Sequence, residues 1–394
     1  MVTSADLVAP GSSVFTVYDL REDTGSQGDH AVYFRRSSDG GATFAPAQRI
    51  LSLALQEYVT SVHLSYDSCG TLTAWVEHQS AGLYLFVSRD GGQTFEPQIH
   101  VPVFDRSQQF LGAVLRHPPC GRLVAEVINQ PGTNPPKPAL LSGSGSPLTF
   151  ALTDIPSVTS GVMWDSSLEQ DGTGNLWHLQ VLLVGANTVI HIYHSTDGGQ
   201  TFQFMNDEIG PTLGYTPHLH LRPFLESADV HTVFVGWLDL KGAQQDQPRW
   251  MVARSTDGGS HFTTVLPATA EPEPGVGGSS ASAALDTSGR IWISYPWCSP
   301  IPPGIWDGWS CETRLRNSDA GFTGFAAPMR ENDILAYKTA PYKVREAVSN
   351  PLVEFDGTSN TLYLLWVDTR YRITPSLAST YDAFFTHLSL TSGP

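Results

Sequence analysis

Ser195-Thr196-Asp197-Gly198-Gly199-Gln200-Thr201-Phe202 is an eight-residue phrase that the chain uses again and again. Its residue types describe a β-hairpin: Asp accepts hydrogen bonds from its own turn's amides, the glycines supply positive φ, and the aromatic folds back under the turn. Clear copies stand at 37–44, 88–95 and 255–262, and a degenerate one runs Ser318-Asp319-Ala320-Gly321-Phe322 with Phe325 as its aromatic. These aspartates read as turn residues rather than as catalytic acids.

Spacing then sets the architecture. Asp39, Asp90, Asp197 and Asp257 follow one another at about 50 to 60 residues, except that the step from Asp90 to Asp197 is about double and implies one decayed copy. Residues 142–150 fill that gap, with Gly145 where the Asp should be and Thr149-Phe150 at the end. A last unit, 350–390, keeps the upstream half of the pattern. Within each unit an apolar strand, a small turn, a second strand ending in an aromatic and an acid, a variable loop, a third strand and the hairpin recur in order. Leu362-Tyr363-Leu364-Leu365-Trp366-Val367-Asp368 and Val233-Phe234-Val235-Gly236-Trp237-Leu238-Asp239 are two such second strands.

Units of this size, each a four-stranded antiparallel sheet, are what the radial blades of a β-propeller require. The expectation is an all-β chain forming a single β-propeller domain over 1–394, of seven blades with six as the alternative. The blades fall near 4–50, 58–101, 107–156, 162–210, 217–267, 278–330 and 347–390. A parallel β-helix would repeat at shorter intervals, and two β-sandwiches would not carry one motif through both halves. Ring closure stays open: either the last blade lacks its outer strand or the segment from Ser4 supplies it.

With 36 Gly, 28 Pro and few helical-period stretches, turns and short strands dominate the composition. The net charge of −16 excludes a nucleic-acid partner, since a phosphate backbone calls for Lys and Arg clusters. No apolar run approaches the roughly 18 residues of a spanning helix, so no membrane span is expected. Met1-Val2-Thr3-Ser4 carries no signal segment, which leaves a signal peptide already removed as the route to an extracellular, secreted location. Cys69 and Cys120 hold matching positions in successive repeats, and Cys298 and Cys311 flank a Trp-rich insertion. Two disulfides in an oxidising compartment and four buried thiols both fit this pattern. No Cys-x-x-Cys spacing is present, and no cofactor motif is recognised.

The hairpin motif in this register resembles the sialidase superfamily of propellers, also called Asp-box or BNR-repeat proteins. The resemblance covers nearly the whole chain and implies the fold far more strongly than an activity, because the motif also occurs in glycosidases, lyases, lectins, sorting receptors and assembly factors. Tyr18-Asp19-Leu20-Arg21, an acidic loop with Asp23 and Asp29, and Tyr33-Phe34-Arg35-Arg36 look like the first-blade segment of sialidases. By that resemblance Arg21 contacts substrate and Asp29, with Asp23 second, is the general acid/base. The first Arg of the sialidase carboxylate clamp falls on Val2 and is missing. Tyr371 beside Arg370, or Tyr342 with Arg345 and Glu346, are the candidates for the Tyr nucleophile and its surroundings. Asp239 and Asp368 end equivalent strands, so Asp19-x-Arg21 also reads as a repeated blade feature.

The hairpins and the turns between first and second strands belong on one face of the disc, and a ligand belongs over the other. Loops expected there carry Trp164, His218, Trp297, Trp306 and Trp309, whose aromatic faces beside Arg and carboxylates suit a sugar ring. His218 and His220 lack a third ligand, so no metal is assigned. The connection 330–345, with its basic stretch 338–345, suits a cap over the channel or a protein contact. Two functions remain: an extracellular sialidase-like propeller that binds or cleaves a glycan or other small saccharide, and a noncatalytic scaffold for protein partners.

Overall fold

A computed structural model describes residues 4–21, 30–54, 57–104, 109–129, 137–156, 162–184, 187–209, 224–227, 231–239, 249–262, 264–268, 281–300, 309–330, 349–368 and 382–390. Every regular element among them is a β-strand. The first blade is Ala5–Val8 (β1), Val14–Arg21 (β2), His30–Ser37 (β3) and Gln48–Leu53 (β4); the second is Val59–Tyr66 (β5), Leu72–His78 (β6), Gly82–Ser88 (β7) and Ile99–His100 (β8). The third holds Gln109–Val114 (β9), Arg122–Asn129 (β10), Lys137–Ser144 (β11) and Thr149–Asp154 (β12). The fourth holds Val162–Gln170 (β13), Leu176–Val184 (β14), Asn187–Ser195 (β15) and Gln203–Ile209 (β16). Phe224–Ser227 (β17), Val233–Asp239 (β18), Arg249–Ser255 (β19) and Thr264–Pro267 (β20) make the fifth. Ser282–Leu285 (β21), Ile291–Pro300 (β22), Trp309–Asn317 (β23) and Met329–Arg330 (β24) make the sixth. The seventh is Ser349–Asp356 (β25), Thr361–Asp368 (β26) and Asp382–Ser389 (β27).

Each blade is an antiparallel meander in sequence order, four-stranded in the first six and three-stranded among the described residues of the seventh. The innermost strands β1, β5, β9, β13, β17, β21 and β25 adjoin in turn, and β25 packs against β1. The ring is therefore a seven-bladed propeller, not a six-bladed one. The segment after Ser4 is the inner strand of the first blade, which removes it as the source of an outer strand for the last. Asp19 explains this placement, since its carboxylate accepts the Ser4 amide at 2.5 Å and its own amide donates to the Ser4 carbonyl.

Burial follows position in the blade. All seven residues of β6 are buried, whereas β12 is mostly exposed, because a second strand lies between two neighbouring blades and an outer strand meets water. Trp75, Trp177, Trp250 and Trp366 are fully buried in these interblade layers, and Trp237 nearly so.

The repeated hairpin behaves as its residue types require. Ser195 Oγ donates to Asp197 Oδ1 at 2.8 Å and accepts the Gly199 amide, while Asp197 takes the Gln200 and Thr201 amides and the Thr201 hydroxyl. The same bonds recur around Asp39, Asp90 and Asp257, where His261 Nδ1 replaces the threonine hydroxyl. In the degenerate copy Asp319 still holds Thr323, and Phe322, at φ 53°, is driven into the core against Phe234.

The second glycine of the motif has a tertiary reason. A Cβ on Gly199 would collide with Leu140 of the preceding blade, and Gly92 and Gly259 abut Phe34 and Trp177 in the same way. The aromatics also reach backwards rather than only under their own turn: Phe44 meets Phe385 and Phe95 meets Phe34, both edge-on with centroids 4.9 Å apart. Each hairpin thus clamps onto the blade before it.

A second turn class appears between first and second strands. Asp67, Asp171, Asp286 and Asp356 each cap that turn through its amides, and Asp67 and Asp356 reach on to Gly121 and Gly11 in the next blade. Cys69 and Cys120 are joined as a disulfide between the turns of blades two and three, with Cα atoms 4.9 Å apart.

Candidate functional site

The inner strands bring together charged residues that are far apart in sequence. Glu169, Glu226 and Glu354 occupy one ladder position, opposite Trp177, Phe234 and Tyr363 on their second strands. Each glutamate shares a sheet face with the aromatic opposite it. Arg116 and His117 follow β9 in the turn of the third blade, and Asp6 comes from β1. All of them lie toward the end of the channel that carries the Ser-x-Asp-Gly-Gly hairpins.

Arg116 is the hub. Its Nη1 donates to Glu354 Oε2 at 3.0 Å and its Nη2 to Asp6 Oδ1 at 3.3 Å, so a single guanidinium ties blade three to blades seven and one. His117 Nε2 meets the other Glu354 oxygen at 2.5 Å, and His63 stands 3.8 Å from Asp6. Asp6 also accepts the Leu7 and Leu64 amides, which fixes it between the first two blades.

The electrostatics divide the cluster in two. Burial alone would raise Glu354, but His117 and Arg116 outweigh it and hold the carboxylate below its usual range. Burial would likewise suppress the charge on Arg116 and His117, and their carboxylate partners overcome it, raising both. Burial, reinforced by Glu354, pushes Glu169 up to about 7 against the pull of His117 and Arg116. Glu226 is raised well above the ordinary carboxyl range by burial and by Glu169 and Glu354. The ion pairs thus hold Glu354 low, while Glu169 and Glu226 are shifted up. Mechanically the cluster draws three blades together.

Other buried polar groups are interblade ties. His178 Nε2 lies 2.9 Å from Glu126 Oε1 with both side chains inaccessible, and Ser166 Oγ donates to the second Glu126 oxygen. No group of three or more metal-ligating side chains occurs among the described residues.

The residues singled out from the sequence are distributed differently. Asp29, Arg345, Arg370, Tyr371, His218 and Trp306 lie outside the described residues. Arg21 ends β2 directly across from His30, so the chain through Asp29 leaves and returns at the rim opposite the hairpins. Trp164 and Trp309 are on strands and not in loops: Trp164 is the extra residue of a bulge in β13, and Trp309 pairs with Pro300 at the tip of β22 and β23. Trp297 is also on a strand, with the Arg314 guanidinium 3.7 Å from its ring centroid. The expected loop at 297–311 is shorter because the ladder continues through Cys298, opposite Cys311, and Ser299, opposite Ser310.

The axial cluster was missed because its members look like ordinary strand residues. One signal was present: Glu169-Gln170-Asp171 and Glu354-Phe355-Asp356 place a glutamate two residues ahead of a turn aspartate.

No protein-family model matches this chain, and no curated protein resembles it in sequence. Solved structures share its shape. An ulvan lyase described as a new family of polysaccharide lyase superposes with a TM-score of 0.53 at 10% identity, over 83% of this chain and 80% of that one. A protein of unknown function from Dyadobacter fermentans gives 0.49 at 14% identity, over 80% and 94%. The Trypanosoma rangeli sialidase gives 0.46 at 12% identity, over 98% of this chain and 54% of that one. The chain thus spans about half the length of that sialidase. It is a seven-bladed propeller with sialidases and polysaccharide lyases among its structural neighbours.

Proposed function

We propose that this propeller engages a saccharide at the rim opposite the Ser-x-Asp-Gly-Gly hairpins, with Arg21 and Asp29 supplying polar contacts. The observation that carries this reading is the asymmetry of the disc. At the hairpin end the turns are cross-linked by their own Ser and Asp side chains, and Arg116 ties Asp6 to Glu354. At the opposite rim five pairs of second and third strands are joined through 22–29, 130–136, 240–248, 301–308 and 369–381. Inner strands also carry extra residues near that rim, Thr60 in β5 and Trp164 in β13, and bulges of this kind gather where side chains are re-aimed toward a site.

The shared shape with an ulvan lyase supports a saccharide as the ligand class, and the hairpin geometry fits membership of the Asp-box group. The Cys69–Cys120 disulfide supports an oxidising, extracellular setting. Tyr371, Arg370 and Arg345 complete the proposed polar set, and Trp164, His218, Trp297, Trp306 and Trp309 its ring contacts.

The test is a glycan array spanning sialylated, fucosylated and uronic-acid glycans, followed by assays of hydrolysis and of β-elimination on every binder. Binding that weakens at least about tenfold in Arg21→Ala, the cost of a charge-assisted contact, supports the reading. Loss of turnover with retained binding in Asp29→Asn would assign Asp29 as the acid. Absence of binding across all three glycan classes would overturn the proposal and favour the protein-scaffold function.

A further inference from the structure

We propose that the sixth and seventh blades form an acceptor for a partner polypeptide: a glycine-bearing tight turn seats on Arg290, and the strand after it pairs with the outer edge of β27. This inference is independent of any ligand at the opposite rim.

Other blades show what such a site holds. Arg122, the residue after the Gly121 turn of the third blade, donates from Nη2 to the Gly198 carbonyl of the fourth blade's hairpin at 2.9 Å. Only glycine suits that turn position, since a Cβ on Gly198 would lie 2.7 Å from the Arg122 Nη1. Arg254 of the fifth blade likewise donates to the Gly321 carbonyl of the sixth at 3.1 Å. Arg290 follows the Gly289 turn of the sixth blade as Arg122 follows Gly121, and both glycines have positive φ. Trp292 repeats Trp177: each donates its indole N–H to the aspartate of its turn, and Trp177 is met by Gly259 of the next hairpin.

The seventh blade brings no such hairpin to Arg290. In other blades the first leucine of the second strand faces the hairpin serine, as Leu72 faces Ser88 and Leu176 faces Ser195, but here Leu362 faces Leu388. Leu388 and Leu390 thus stand where the motif needs Ser and Asp, and both pack against the apolar layer of Trp292 and Leu315. Arg290 is nevertheless fixed in place. Its Nε donates to Asp286 Oδ2 at 2.8 Å and its guanidinium lies 5.7 Å from the Trp292 ring centroid, while neither Nη has a hydrogen-bond partner among the described residues. It lines a depression of about 730 Å³ together with Ser288, Asn317, Asp319 and Phe325.

The strand half of the site is β27, which pairs only with β26 among the described residues, whereas every other third strand has a fourth beside it. Fourth strands lend Ile50, Ile99, Met205 and Leu266 to the apolar layer shared with the following blade. Between the seventh and first blades no fourth-strand side chain does so among the described residues. An incoming strand with one apolar face completes that layer while its backbone pairs with the edge. A second copy of the chain is the poorer occupant, because a net charge of −16 repels its like.

The probe is a synthetic peptide of residues 195–209, the fourth blade's own hairpin and outer strand, labelled with a fluorophore and titrated against the intact chain. Anisotropy should rise to saturation, and hydrogen exchange read by mass spectrometry should slow across 382–389 but not across β14. Arg290→Ala, and Arg290→Lys, which keeps the charge and loses the fork, should each weaken binding about tenfold, the cost of a charge-assisted bond. A peptide carrying Phe204→Pro and Met205→Pro cannot pair with the edge and should protect nothing. That arm leaves the protein untouched, so it decides the question should circular dichroism show that the Arg290 variants fail to fold. Absence of protection over 382–389 at about 1 mM peptide, equal binding of the proline peptide, or unchanged affinity in folded Arg290 variants would overturn the proposal. Protection that rises with protein concentration alone would also overturn it, by assigning the edge to a second copy.

Discussion

Arg116 in the third blade and Glu354 in the seventh meet across the channel at 3.0 Å, joining residues 238 positions apart in sequence. Glu354 is nearly buried, as is the second partner, Asp6. Removing the guanidinium strands two enclosed carboxylates, which is costlier than never having built the pair. Arg116→Met should lower unfolding free energy by about 3 kcal/mol, the low end for a broken buried pair because Arg116 keeps some access to solvent. Urea titration measures it, and a loss below about 1 kcal/mol would show the pairs to be incidental.

The pH dependence of stability follows from the carboxyl shifts. Glu169 is raised from 4.5 to about 7 on folding, so its contribution is complete below the unfolded value and is lost as pH climbs from about 4.5 toward 7. Asp39 and Asp257 are lowered to about 2, the first by the Ser37 hydroxyl and the second by His261, so their contributions vanish as pH falls from 3.8 toward 2. Denaturant midpoints across pH should therefore peak in mildly acidic buffer. A maximum on the alkaline side of neutrality would contradict the assignment for Glu169.

The hairpin serine is buried and bonds both its aspartate and a glycine amide. Ser195→Ala should cost about 1–2 kcal/mol, the penalty for an unsatisfied buried amide. Gly199→Ala should cost more, since the site combines φ of +91° with a collision against Leu140. Thermal melts of the two variants should rank in that order.

The Cys69–Cys120 bond closes a separation of 51 residues between two blades. Replacing both cysteines by serine should destabilise the chain by about 2–4 kcal/mol on the loop-entropy account, visible as a lower denaturant midpoint without reductant.

Cys298 stands directly opposite Cys311 in the backbone register of the β22–β23 ladder, a pairing compatible in spacing with a disulfide. Non-reducing peptide mapping should find a 298–311 crosslink alongside 69–120. Alkylation of either residue without reduction would refute it.

Much of the fold was written in local chemistry. Asp197 with Gly198 and Gly199 specifies a hairpin whatever surrounds it, and its recurrence at blade-length intervals makes a radial repeat the economical answer. Matching positions of Cys69 and Cys120 likewise anticipated neighbouring turns. The Trp297 to Cys311 stretch was less legible, because Gly and Pro mark a loop locally while ladder pairing to Pro300 and Trp309 depends on the partner strand.

What the sequence alone determined, then, is the blade: its hairpin, its buried second strand and its length. Tertiary structure alone decided how the blades close. That Ala5–Val8 is an inner strand, that Gly199 needs to be small because of Leu140, and that Arg116, Glu354, Asp6, Glu169 and Glu226 form one electrostatic unit are consequences of the ring. The physical reason is range. Turn chemistry acts over a few residues and leaves a pattern in the chain, whereas charge coupling across a channel acts through space between residues that share no sequence neighbourhood.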